Sequence, residues 1–309
     1  MIPVNSVLQV GYFPEIMQAE IDRRFKPTCH LDPAAPPPAG DFEAILIRSN
    51  TKLPEALVKQ LPKVRMVATC GVGYDNLPLS HLRERGIKAS NTPGVLNDAV
   101  CELAIGMLFG LLRRIPEAQD FVKSTEWSKG LFKITTTLAG KRVGIAGMGR
   151  IGQDLAERLL PFKVEIAYSG PNPKNLPYTY FKNVKDLAAA CDVLFLACPA
   201  TPDTDKMINA EVLNALGPNG YLINIARGSV VDETALLYAL QHKKIAGAAL
   251  DVFENEPNPN ADFLNLDNVL LTPHIGSATS ETRIAMTNLA VDNLEAFFNQ
   301  QPLLTEVKN

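Results

Sequence analysis

The run Val143-Gly144-Ile145-Ala146-Gly147-Met148-Gly149-Arg150-Ile151-Gly152 constrains this chain more than any other stretch of its sequence. Glycine-rich turns are common, and the spacing Gly147-x-Gly149-x-x-Gly152 alone says little. Here an apolar strand leads into it, and an amphipathic helical pattern over 153–160 follows at once. That context makes it a dinucleotide fingerprint. The glycines let the backbone turn tightly and approach a pyrophosphate, and the helix N-terminus offers unbonded N–H groups to the phosphates.

The rest of the chain agrees with an α/β fold. Strands are expected over 7–10, 44–47 and 65–69, and again over 142–146, 164–168, 193–197, 221–225, 247–250 and 269–271. Helical patterns separate most of them. Nearly continuous apolar strands alternating with helices imply parallel sheets covered on both faces. A long apolar helix is expected over 99–114, capped by Asn97 or Asp98, with acids in its first turn and Arg113 and Arg114 in its last. A second long helical pattern covers 281–299. Two such helices flanking one sheet suggest a cofactor domain over 98–280, inserted into a substrate domain built from 1–97 and 281–309. The proline-rich stretch 32–38 reads as a stiff surface loop.

Composition narrows the function classes. Thirty Lys+Arg against 33 Asp+Glu leave a net charge of −3, without the basic balance of a nucleic-acid binder. The longest strongly apolar run, 103–112, is about half the ~20 residues a membrane span needs. The N-terminus shows no basic region running into an apolar stretch, so the expected location is cytoplasmic. Five scattered cysteines (Cys29, Cys70, Cys101, Cys191 and Cys198) form no CxxC pair and read as small buried hydrophobes. The four histidines form no HxxxH pair, and no metal site is expected. His30, His81 and His242 lie in polar, loop-like contexts and receive no role.

About 20 residues past the fingerprint, the end of the second strand should carry an acid that reads the ribose. Ser169 stands there instead, with Arg150 and Lys174 as nearby cations. A neutral hydroxyl does not repel a 2′-phosphate, so NADP(H) is favoured; the lack of an arginine directly after Ser169 keeps NAD(H) open. Further on, three successive strands end in Arg227, in Asp251 followed by Glu256, and in His274. One sheet edge thus collects Arg, Glu and His beside a dinucleotide fingerprint.

With these motifs in order, the sequence resembles the D-isomer-specific 2-hydroxyacid dehydrogenases. The resemblance rests on Thr69-Cys70-Gly71-Val72-Gly73-Tyr74-Asp75-Asn76, Asn91-Thr92-Pro93-Gly94-Val95-Leu96, the Gly147 fingerprint, Ile225-Ala226-Arg227-Gly228, Asp251-Val252-Phe253, Glu256-Pro257 and Pro273-His274-Ile275-Gly276. It is most similar to the NADPH-preferring glyoxylate/hydroxypyruvate reductases, the group that includes plant hydroxyphenylpyruvate reductases. The resemblance implies two Rossmann-like domains, the discontinuous arrangement above and a homodimer. It implies that Arg227 binds the keto acid and His274 delivers the proton. Glu256 orients His274 and favours its protonated form.

By the same resemblance the amides of Val72 and Gly73 receive the substrate carboxylate, and Asn50 and Tyr74 lie near the pocket. Asp251 holds the nicotinamide carboxamide, Cys198-Pro199 passes the phosphate–ribose side, and Ile151 and Gly276 border the cofactor. Trp127 belongs to a segment that helps form the dimer, or is a plain packing residue. Alternatives are a hydroxyphenylpyruvate reductase, a 3-phosphoglycerate dehydrogenase, more distantly a formate dehydrogenase, and a dinucleotide-sensing scaffold. The scaffold reading is disfavoured because the sequence ends soon after its closing helix.

Overall fold

The computed structural model describes residues 2–307 and divides the chain into two compact units, Met1–Leu96 with Ala278–Asn309, and Asn97–Ser277. In the first unit, strands β1 (Val7–Val10), β2 (Thr28–His30), β3 (Ala44–Arg48), β4 (Met66–Cys70) and β5 (Lys88–Ser90) pair in the order β2-β1-β3-β4-β5, all parallel. Helix α1 (Glu15–Arg24) follows β1, α2 (Glu55–Lys59) follows β3, and α3 (Leu79–Glu84) follows β4. The strands are apolar on both faces, as a sheet covered on both sides requires. One face packs Leu8, Val10, Ile45, Ile47 and Val67 against α2 and α3 residues; the other packs Val7, Leu46, Met66 and Ala68 with Met17 and Ile21 of α1.

The second unit opens with α4 (Asn97–Leu112) and α5 (Ile115–Lys123). Then come β6 (Arg142–Ala146), α6 (Arg150–Leu159), β7 (Glu165–Ser169), β8 (Thr179–Phe181), α7 (Val184–Ala190), β9 (Val193–Leu196), α8 (Ala210–Leu216), β10 (Tyr221–Asn224), α9 (Glu233–Gln241), β11 (Gly247–Leu250) and β12 (Val269–Leu271). The order β12-β11-β10-β9-β6-β7-β8, all parallel, is a doubly wound Rossmann sheet with one added strand. The order reverses between β6 and β9, where such sheets open a crevice at their carboxyl edge. Helix α4 buries Cys101, Ala104, Met107, Leu108 and Leu111 against α6 and the sheet residues Ile145, Phe195 and Ile223. The closing helix, α10 (Ser280–Phe298), belongs to the first unit and packs on β4 and α1. Arg24 of α1 pairs there with Asp292 at 2.6 Å and Glu295 at 2.5 Å.

The structure corrects several expectations. Three strands, β2, β5 and β8, had no counterpart in the sequence reading. Cys29 is exposed and Cys198 half-buried; only Cys70, Cys101 and Cys191 are buried, and all five are free. His30 ends β2 and is buried, and His81 lies in α3 rather than a loop. Among the described residues, no helix is long and apolar enough to cross a membrane and no cluster of metal-binding side chains occurs.

The fingerprint glycines differ in how tightly they are held. A Cβ on Gly152 would lie 2.2 Å from the Gly147 carbonyl oxygen, whereas one on Gly149 would meet nothing within 4 Å. Gly152→Ala should therefore cost about 1–3 kcal/mol and lower the melting temperature by several degrees, while Gly149→Ala leaves it close to wild type. Calorimetric scans of the two variants check the contrast, and equal melting temperatures would contradict it.

Candidate active site

The fingerprint turns where the sheet order reverses. Gly147, at φ +102°, lies against the neighbouring strand end: a Cβ would fall 2.5 Å from the Cys198 nitrogen and 2.7 Å from the Ala197 carbonyl carbon. Only glycine fits there. The Gly147 N–H donates to the Ser169 carbonyl at 2.9 Å, and the Ala197 N–H donates to the Ala146 carbonyl at 2.8 Å. Gly149 caps α6 without any side-chain cap, so the first N–H groups of the helix, at Arg150, Ile151 and Gly152, face an anion-binding position. This cradle fits a dinucleotide pyrophosphate. Cys198 and Pro199 flank it; burial pushes the Cys198 thiol up to about 11.

Ser169 ends β7 and is only 5% exposed, so the hydroxyl is less open than the sequence suggested. The loop behind it is tied down by two tyrosines. Lys174 N–H donates to the Tyr168 hydroxyl at 2.7 Å, and the Tyr180 hydroxyl donates to the Gly170 carbonyl at 3.0 Å. Arg150 and Lys174 are exposed.

Three loops farther along the same edge hold Arg227, Glu256 and His274. Arg227 follows β10 and is half-buried, its Nη1 donating to the Ala226 carbonyl at 2.8 Å. Asn224 brackets that turn: its Oδ1 accepts from Ala226 N–H and its Nδ2 donates to the Arg227 carbonyl, both at 3.0 Å. Gly228 then lies directly on the next loop, where a Cβ would sit 1.9 Å from the Phe253 carbonyl carbon. The Arg227 and Glu256 loops therefore meet backbone to backbone.

Glu256 accepts from Phe253 N–H at 3.1 Å through Oε1 and holds His274 Nδ1 at 2.6 Å through Oε2. Burial disfavours the charged form of Glu256. The hydrogen bond and charge of His274, the Phe253 amide and the Arg227 guanidinium outweigh it and hold the carboxyl below its ordinary value. Glu233 ties the same loop by accepting from Glu254 N–H at 2.7 Å; burial raises its carboxyl above the ordinary range.

His274 has φ +53°, a left-handed conformation uncommon outside glycine. Asp251 fixes it there. Buried at the end of β11, its Oδ1 accepts from the Thr272 hydroxyl at 2.7 Å and Ile275 N–H at 2.8 Å, and its Oδ2 from Gly276 N–H at 2.8 Å. Asp251, expected from the resemblance to hold a carboxamide, already has three donors of its own chain on its oxygens. Asn224, Glu233 and Thr272 are positioning residues that the sequence reading did not assign. Only Asn224 left a signal, as a polar residue closing an apolar strand beside Arg227.

The first unit carries Asn50, Val72 and Gly73. Asn50 is exposed in the turn after β3, and Tyr74 is 41% exposed. The loop after β4 is drawn tight: Gly71, at φ +150°, would place a Cβ 1.9 Å from Ser49 Oγ, and Asn91 Nδ2 donates to the Val72 carbonyl at 2.8 Å. Among the described residues the N–H groups of Val72 and Gly73 have no acceptor. Trp127, in the second unit, is 66% exposed.

Comparison with known proteins agrees with this geometry. Residues 105–276 match the model of the D-isomer specific 2-hydroxyacid dehydrogenase NAD-binding domain. The chain is 44% identical over 308 residues to a hydroxyphenylpyruvate reductase of Plectranthus scutellarioides, covering 98% of each. It is 45% identical over 267 residues to a glyoxylate/hydroxypyruvate reductase of Arabidopsis thaliana, covering 86% of this chain and 85% of that protein. A crystal structure of the NADPH-dependent glyoxylate/hydroxypyruvate reductase of Sinorhizobium meliloti, in complex with NADP and malonate, superposes with a TM-score of 0.93. That pair is 41% identical, over 99% of this chain and 97% of the other. A fingerprint at the switch point, an Arg, Glu and His set along one sheet edge, and likeness over nearly the whole length all lead to one family: the chain belongs to the D-isomer specific 2-hydroxyacid dehydrogenases.

Proposed function

We propose that the protein reduces small 2-keto acids, glyoxylate and hydroxypyruvate foremost, to D-2-hydroxy acids with NADPH. The observation that carries this reading is the Glu256–His274 pair at 2.6 Å, on the same sheet edge as Arg227 and the fingerprint. The Arabidopsis and Sinorhizobium relatives are glyoxylate/hydroxypyruvate reductases by name, and the Sinorhizobium structure holds NADP. The NADPH dependence of that Sinorhizobium protein supports the same preference here; in this chain the support is the absence of an acid after β7, with Arg150 and Lys174 beside the loop. Bound at the α6 N-terminus, the dinucleotide would supply a hydride.

The chain's own residues do the rest. Glu256 takes Nδ1–H of His274, which leaves Nε2–H to donate to the keto oxygen as it gains charge. Arg227 offers a planar fork to the carboxylate and holds the carbonyl in place. On the first unit, the resemblance gives Val72 and Gly73, through their N–H groups, the role of receiving a substrate carboxylate. We read the first unit as the substrate domain and the second as the dinucleotide domain. Ile115, Val122, Trp127, Leu131 and Ile134, all exposed, support a homodimer formed through this segment. Five free thiols suit a cytoplasmic setting.

Three outcomes are expected. His274→Ala lowers kcat for glyoxylate reduction roughly 100- to 10,000-fold, while the NADPH dissociation constant, read by fluorescence, stays within a few-fold; near-normal turnover would remove the proton-donor role. Since Glu256 is held below its ordinary value, the stability it adds is present at neutral pH and fades as pH falls through that lowered value. The melting-temperature gap between Glu256→Gln and wild type should therefore close in acid. Finally, with glyoxylate, loss of reduced-nicotinamide absorbance should be faster with NADPH than with NADH; the reverse order would overturn the cofactor assignment.

A further inference from the structure

The loop after β4 is gripped by its carbonyls. Gly71 C=O accepts from Thr92 N–H at 2.9 Å, and Gly71 N–H donates to Thr92 Oγ1 at 2.9 Å. The Val72 carbonyl accepts from Asn91 Nδ2 at 2.8 Å. Asn91 and Thr92 directly follow β5, and both are buried. In a trans peptide the C=O of one residue and the N–H of the next point in opposite directions. Two carbonyls drawn toward residues 91 and 92 therefore turn the N–H groups of Val72 and Gly73 away from them. Successive N–H groups turned to one side can take an anion.

Asn91 is itself held from the other end of the chain. Its N–H donates to the Thr305 carbonyl at 3.3 Å, and its carbonyl accepts from Thr305 Oγ1 at 2.6 Å. Both main-chain groups of Asn91 are thus engaged, which leaves the side chain to reach Val72. Thr305 hangs in turn on Asn293 of α10, which is fully buried. Asn293 Nδ2 donates to Thr305 Oγ1 at 2.8 Å, and its Oδ1 accepts from Thr305 N–H at 3.1 Å. The second Nδ2 hydrogen goes to the Leu289 carbonyl at 2.8 Å. Past Thr305, Val307 N–H donates to the Ala89 carbonyl at 2.9 Å and lays this segment along β5. An asparagine buried on a packed helix costs more than an apolar residue unless its bonds fix something. Here they fix Thr305, and through it Asn91.

We propose that Asn91 and Thr305 are positioning residues that aim the Val72 and Gly73 N–H groups at the substrate carboxylate. The assignment rests on the reading of those two amides as carboxylate receivers. Neither side chain meets the substrate; Thr305 acts through Asn91, and Asn91 through the Val72 carbonyl. An N–H pair set in advance costs less to order when the carboxylate arrives. The effect therefore falls on substrate binding rather than on turnover, which belongs to Arg227, Glu256 and His274. All the residues of this chain of bonds lie in the first unit.

The test compares wild type with Asn91→Ala, Thr305→Val and Thr305→Ser, the fold of each verified by a melting curve. Oxamate, a 2-keto acid isostere, is titrated into the NADPH-loaded protein carrying isotope-labelled valine and glycine, and the Val72 and Gly73 amide signals are followed by NMR. KM and kcat for glyoxylate are measured alongside. In wild type, oxamate moves both amide signals. Asn91→Ala weakens oxamate binding and raises KM about tenfold, while kcat stays within about threefold. Thr305→Val moves both in the same direction by a smaller factor, and Thr305→Ser, which keeps the hydroxyl, stays near wild type. A merely structural role would lower the melting temperature without separating KM from kcat. Oxamate affinity and KM within twofold of wild type in both Asn91→Ala and Thr305→Val, with the two amides still responding, would overturn the positioning role and leave the carboxylate reading standing. Wild-type amides that ignore oxamate would overturn the carboxylate reading, and the positioning role with it. The titrations need no turnover, so they decide the matter even if glyoxylate is not reduced.

Discussion

The His274 end of the candidate site depends on one buried carboxylate. Asp251 is 2% exposed, and a charge that deep persists only where donors surround it. Its three donors, Thr272, Ile275 and Gly276, bracket His274 on both sides in sequence. With the residues before and after it fixed, His274 is held at φ +53°, a conformation the chain would not choose alone. The side chain then emerges in one direction and meets Glu256. The ion pair follows from the backbone, and the backbone follows from Asp251.

Glu256 and Arg227 are framed in a similar way by groups that carry no chemistry themselves. Gly228 has no side chain because the Phe253 carbonyl occupies the place of its Cβ. Removing the side chain lets two loops stack, so Arg227 and Glu256 are spaced by main chain rather than by flexible side chains. Asn224 closes the Arg227 turn from below, and Glu233 ties Glu254 from α9. A preorganised set of charges costs little to reorganise when a substrate gains charge, which is how such electrostatic sites gain their effect.

Much of this was legible in the sequence, and the failures share a cause. The nine strands read correctly are apolar runs, most of them interior to a sheet, where both faces are covered. The three that were missed, Thr28–His30, Lys88–Ser90 and Thr179–Phe181, each lie at a sheet edge, are three residues long and are partly solvated, so no apolar run marks them. Arg227, Glu256 and His274 were found because each stands just past a recognisable strand. Asn224 and Glu233 act on loop backbone and Thr272 on the Asp251 carboxylate, and Glu233 and Thr272 each reach across 21 residues of sequence. Nothing in residue type announces such a partner. Ser169 was identified by position, but its burial is a property of the folded loop, where the Tyr168 and Tyr180 hydroxyls bond Lys174 and Gly170, and local sequence does not carry that.

The strand order also sets how far apart the two ends of the candidate site lie. The fingerprint follows β6 and His274 follows β12, and β9, β10 and β11 lie between them. At roughly 4.8 Å per strand, these four steps separate the two ends by about 19 Å. On the proposed reading, a molecule anchored by its phosphates on α6 and reacting beside His274 would lie extended along the carboxyl edge. Arg227, after β10, and Asp251, after β11, fall along that line in strand order. The sheet therefore sets the distance between binding and chemistry, and the loops need only turn their side chains into it.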